Sequence, residues 1–177
     1  MARRYRVSPN RITEEQLEEF DVIIVISGSR VYNDYNFFSM TVRSYLEREE
    51  FEGKTVCFVT GEAYEGPDDM IITLCDELEL PFYGRPANWQ KYGNSAGHVR
   101  NAEMADLGTH LLAFHAENSD GTAGMIKVSR KKGLKVERLI VDSDAQRRKL
   151  NGESVAKNGT ERRRELHHRD DRFAASW

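Results

Sequence analysis

Asp21-Val22-Ile23-Ile24-Val25-Ile26-Ser27-Gly28-Ser29-Arg30 is the stretch whose reading decides the fold. The β-branched run from Val22 to Ile26 shows no polar alternation. A strand with one wet face would alternate, so this run predicts a parallel strand covered by helices on both faces. It stops at the small-residue turn Ser27-Gly28-Ser29, and Arg30 follows. In open α/β sheets, ligands bind beyond the carboxyl ends of the strands. A turn at that edge offers backbone N–H groups, and Arg30 adds a forked donor suited to phosphate.

The same grammar repeats downstream. Residues 33–50 read as a helix capped by Asn33 or Asp34, with Phe37, Phe38, Met40, Thr41, Val42, Tyr45 and Leu46 as its apolar stripe. Residues 55–60 form a second buried strand, running into a loop that holds Gly61, Glu62 and Gly66. Asp68 reads as the cap of a helix over 70–79. Residues 80–83 give a short third strand. A helix over about 97–108, a strand over 109–114, a loop over 116–124, a helix over 125–132 and a strand over 134–141 complete the series. This order predicts an α/β chain: a Rossmann-like, three-layer domain over 21–142 with a mainly parallel five-stranded sheet. Residues 1–20 are an arm with a short helix announced by the capping box Thr13-Glu14-Glu15-Gln16. Residues 143–177 are a charged tail, helical or disordered, carrying Arg162-Arg163-Arg164 and His167-His168.

One stretch carries chemistry rather than core. Pro86 to Met104 reads PANWQKYGNSAGHVRNAEM, with many polar and aromatic groups and little apolar mass. Trp89 and Tyr92 offer flat faces for a base. Gly97 leads into a helix start, which attracts anions, and Arg100 is expected in its first turn. Gly121 and Thr122 stand before another helix start. His110 reads as structural, whereas His115 lies toward the ligand edge.

Composition bounds the alternatives. The chain has 177 residues, enough for one α/β domain, with 39% apolar and 31% charged residues. A net charge of −3 gives no general field favouring nucleic acid. No apolar run approaches the roughly 20 residues that span a bilayer, and no signal-peptide pattern opens the chain. Cys57 and Cys75 lack metal-type spacing and read as reduced packing residues. The expectation is a cytoplasmic protein with no membrane partner, no metal and no required cofactor.

Four stretches together resemble the SLOG superfamily, nearest its YspA/YpsA-related branch of bacteria and phages. They are Ser27-Gly28-Ser29-Arg30; Gly61-x-Ala63; Trp89-x-Lys91-Tyr92-Gly93 with Ala96-Gly97-x-x-Arg100-Asn101-x-x-Met104; and Gly121-Thr122. The resemblance spans about 22–141. It implies a Rossmann-like domain that binds nucleotides or nucleotide derivatives at the carboxyl edge. It also implies a homo-oligomer paired through helices flanking the pocket. Relatives include ADP-ribose and NAD-derivative sensors in phage–host conflict, LOG-type phosphoribohydrolases and the DNA-processing protein DprA. A phage-encoded chain would act in the host cytoplasm. The departures are specific. Asn101 replaces the Lys of the LOG-type Arg-Lys-x-x-Met motif, and Gly124 and Met125 stand where its acids would be. The second loop is one residue longer than the family's Gly-x-Ala-x-Gly-x-Asp, and Tyr64 stands where an Arg is usual.

The leading expectation is therefore a binding protein for an adenine-type nucleotide or an ADP-ribose-like molecule. Its ligand residues are Gly28, Ser29, Arg30, Gly61, Glu62, Trp89, Tyr92, Gly97, Arg100, Asn101, Gly121 and Thr122. If the chain is an enzyme, it is a nucleotide N-glycosidase using Arg100 with Glu62 or Asp120, since such cleavage needs a carboxylate or an activated water. A DprA-like single-strand binder using the Arg-rich tail is the third reading, less favoured on charge.

Overall fold

A computed structural model describes residues 8–142. The expected tail, its arginine run and its histidine pair lie outside the described residues. Strands β1 (Val22–Gly28), β2 (Val56–Thr60), β3 (Phe82–Gly84), β4 (His110–Ala116) and β5 (Lys135–Val141) form one sheet. Its order is β3-β2-β1-β4-β5, and every pairing is parallel. Helices α1 (Tyr35–Leu46), α2 (Pro67–Leu78), α3 (Trp89–Tyr92), α4 (Ala96–Leu107) and α5 (Asp120–Lys131) fill the connections. The order reverses between β1 and β4, so the loops following these two strands flank the switch point.

Alternate residues of β1 serve two separate cores, which is why its sequence shows no alternation. Val22, Ile24 and Ile26 join Phe38 and Val42 of α1 and Ile71 and Leu74 of α2. Val25, with Cys57, Val59, Leu111 and Ala113, joins Met104 of α4 and Met125 of α5 on the opposite face. Strands buried on both faces between helix layers give the expected three-layer architecture.

Local chemistry sets the helix bounds. Asp34 caps α1 by accepting from the Phe37 N–H at 3.0 Å. Phe38, Val42 and Tyr45, spaced four and three residues apart, face the sheet. Phe37 and Met40 fall off that stripe and are 46% and 70% exposed, which corrects their reading as core. A 3-10 turn, Glu49–Phe51, returns Phe51 to the core, edge-on to His110 at 5.1 Å. The second helix begins earlier than expected. Gly66 is its N-cap with φ +74, Pro67 takes the first helical position, and Asp68 lies inside the first turn rather than capping it. Similarly α5 starts at Asp120, so Gly121 and Thr122 belong to its first turn and not to a preceding loop. Gly133, with φ +84, closes α5 as expected.

The arm is part of the sheet's architecture. The Phe82 N–H donates to the Asn10 carbonyl, and the Ile12 N–H donates to the Phe82 carbonyl. These bonds cover the outer edge of β3. The capping box is half formed ahead of a 3-10 helix, Glu15–Glu19: the Thr13 N–H donates to Gln16 Oε1 at 2.9 Å. No helix among the described residues is long and apolar enough to cross a membrane.

Phe114 is fully buried between Tyr32 and Phe38, with ring centroids 5.9 and 4.8 Å away. Phe114→Ala is therefore expected to cost about 3–5 kcal/mol through lost burial and a residual cavity. Urea unfolding reads this as a lower midpoint at constant slope. A loss below about 1 kcal/mol would contradict the packing described.

Candidate functional site

The loops after β1, β2, β3 and β4 all emerge at the carboxyl edge, and α4 sends Arg100 across them. The helix begins at Ala96, so Arg100 occupies its second turn, not the first as expected. From there Nη1 donates to the Gly61 carbonyl at 3.0 Å and lies 3.7 Å from Asp68 Oδ2. Its Nε is buried and makes no hydrogen bond among the described residues. The side chain is 21% exposed, so the guanidinium is held in the fold but still reaches solvent.

Asp68 is the residue that sequence reasoning missed. Its Oδ2 accepts from the Ala63 N–H at 3.2 Å, and its carbonyl accepts from Thr60 Oγ1 at 2.9 Å. The Thr60 hydroxyl also accepts from the Glu62 N–H. One buried aspartate thereby fixes the end of β2, the following loop and Arg100. Burial pushes its carboxyl above the ordinary value; Arg100 and the Ala63 N–H pull it back, Glu62 raises it, and Arg30 lowers it. An Asp two residues past a glycine reads equally well as a helix cap, so the sequence alone could not separate the roles.

The two expected carboxylate candidates, Glu62 and Asp120, differ sharply from Asp68. Glu62 has φ +52, and its carboxylate pairs with Arg11 of the arm, a partner nothing in the sequence pointed to. Its side chain is packed against Gly84, where an added Cβ would lie 2.2 Å from Cδ. Asp120 is exposed in the first turn of α5. Among the described residues, the carboxylate paired with Arg100 is that of Asp68.

The glycines divide as well. A Cβ on Gly28 would meet Pro67 Cγ at 2.3 Å and the Phe114 carbonyl at 2.9 Å, so its smallness serves packing of β1 against α2. A Cβ on Gly61 would meet Arg100 Nη1 at 2.3 Å, so that glycine admits the guanidinium. Gly121 has nothing within 4 Å of its Cβ position and borders open space. Gly97 meets only Trp89 Cη2, at 3.9 Å. Ser29 is buried, its N–H bonded to the Phe114 carbonyl, while Arg30 is exposed beside it.

Asn101 and Thr122 are structural in this arrangement. Asn101 is buried and donates through Nδ2 to the Gly121 carbonyl at 3.3 Å, tying α4 to the start of α5. The Thr122 hydroxyl is buried and shares a hydrogen bond with Ser119 Oγ at 2.8 Å. Trp89 is 62% exposed. Tyr92 instead lines a cleft of about 330 Å³ that also meets Arg100. Among the described residues no group of three or more metal-ligating side chains converges.

Comparison with protein-family models, curated proteins and solved structures finds no match.

The raised Asp68 value predicts a pH dependence. The folded carboxyl holds its proton more tightly than the unfolded one, whose ordinary value is 3.8. Its contribution is fully present below that value and is lost as pH rises through the raised one. Asp68→Asn removes this titration, so the variant's stability relative to wild type should climb with pH over that window. Urea unfolding at a series of pH values checks this, and parallel curves would contradict it.

Proposed function

We propose that the chain binds a nucleotide or a nucleotide-derived, ADP-ribose-like molecule at the carboxyl edge of the sheet, as a sensing or sequestering protein. The observation that carries this reading is Arg100. Its guanidinium is anchored by one donor on Gly61 and balanced by Asp68, yet the side chain stays 21% exposed at the open edge. The exposed part of a guanidinium held in this way offers charged donors that suit a phosphate oxygen arriving from the open edge. Arg30 and the exposed start of α5 at Gly121 border the same edge and favour an anion. Adjacent parallel strands bring these loops together, as ligand sites in open α/β sheets require.

Binding is favoured over cleavage by the state of the acids. Glu62 is neutralised by Arg11, and Asp120 is exposed to water. The nucleic-acid reading rests on residues outside those described.

Thermal unfolding with AMP, ADP-ribose and NAD, each mixture then resolved by HPLC, tests the proposal. A ligand near 100 times its Kd should stabilise the fold by about 2.7 kcal/mol, a rise of several degrees in Tm. Arg100→Ala should abolish the rise, and the ligand should be recovered intact. Free base in the eluate would instead identify a hydrolase. No rise with any nucleotide would remove the binding proposal.

A further inference from the structure

Beside Arg100, between β3 and the α3–α4 region, lies a cleft of about 330 Å³, at the small end of ligand sites and large enough for a nucleoside. Tyr83, Pro86, Tyr92 and Val99 supply its aromatic and aliphatic walls, and Asn88 and Lys91 add polar groups to the lining. Arg85 and Glu103 sit side by side on its lining. The Arg85 Nε donates to Glu103 Oε2 at 2.9 Å, and Nη1 donates to Glu14 Oε2 at 2.9 Å and to the Tyr83 hydroxyl at 3.2 Å. With two carboxylates on it, this guanidinium has little charge left for a phosphate. Its place is to hold Glu103 still.

Glu103 Oε1 accepts no hydrogen bond among the described residues. Arg85 also keeps the carboxyl below its ordinary value, so it is ionised at neutral pH and can only accept. A fixed acceptor beside the aromatic rings of Tyr83 and Tyr92 complements a flat ring whose edge carries N–H donors. It repels a second phosphate. Arg100 reaches the same cleft, so a phosphate on its guanidinium and a ring against Glu103 can belong to one molecule.

We infer that this cleft is the base subsite of the ligand, shaped for an aminopurine, with Glu103 accepting from the amine or ring N–H edge and Arg85 as its positioning residue. The inference rests on the phosphate reading of Arg100.

Isothermal titration separates the two. The probes are AMP, GMP, purine riboside 5′-monophosphate, whose base edge has no donor, and ribose 5-phosphate, which has no base. The tighter of AMP and GMP should exceed purine riboside 5′-monophosphate by about tenfold or more, the weight of one hydrogen bond to a charged group. Glu103→Gln should reduce that gap to about threefold or less, because a neutral amide accepts more weakly. Val99→Trp, which fills the cleft, should bring nucleotide affinity down to that of ribose 5-phosphate. Equal binding of nucleotides and ribose 5-phosphate by the wild type would overturn the base subsite and leave the phosphate site standing. A gap that survives Glu103→Gln would overturn the role of Glu103. Failure of every probe, ribose 5-phosphate included, would overturn both readings.

Discussion

A buried carboxylate beside a half-sheltered guanidinium is the constraint on which the ligand edge depends. Asp68 cannot be solvated where it lies, so its charge is tolerable only with partners. It has two: the Ala63 N–H and, at 3.7 Å, Arg100. Those partners belong to different segments, the loop after β2 and the second turn of α4. Satisfying one charge therefore sets the spacing between a loop and a helix that share no sequence neighbourhood. Arg100 is left with its chain direction fixed and part of its fork unspent. This is preorganisation: the cost of ordering a long cationic side chain is met in folding rather than at the moment of binding.

The glycines support this arrangement from behind. Gly28 lets Pro67 approach β1, which brings the start of α2, and with it Asp68, onto the edge. Gly61 lets the guanidinium settle on its own carbonyl, and Gly84 accommodates the Glu62 carboxylate. Glycines at a loop edge invite the reading that a ligand needs the room. Here three of them give the room to other side chains of the same protein, and Gly121 alone among those weighed as ligand contacts faces open space.

The layered fold was legible because its signals are local. A β-branched run without alternation can only be covered on both faces, and the sheet shows each face in its own core. Helix existence and order followed from repeating caps and stripes. Helix phase was less legible: Phe37 and Met40 are apolar, yet the four-and-three spacing of Phe38, Val42 and Tyr45 turns them outward. The shift of a helix start from 125 to Asp120 moved Gly121 and Thr122 from loop into helix. Arg100 was legible as a candidate by its type and setting. Its partners were not, because Asp68, Glu62 and Arg11 come together only through strand order, which no local pattern states.

The arm has a consequence for how the molecule is put together. Residues 10–12 are hydrogen-bonded along the outer strand, and Arg11 reaches from there to Glu62 on the loop after β2. Residues 10–12 thus act twice: they cover the β3 edge with their backbone, and Arg11 pairs with a carboxylate of the site. A chain shortened to start at Thr13 would lose both at once, opening an edge for strand addition and returning a negative charge to the neighbourhood of Arg100. Residues 10–12 are in this sense a wall of the site as well as an edge of the sheet, and they set part of its electrical state.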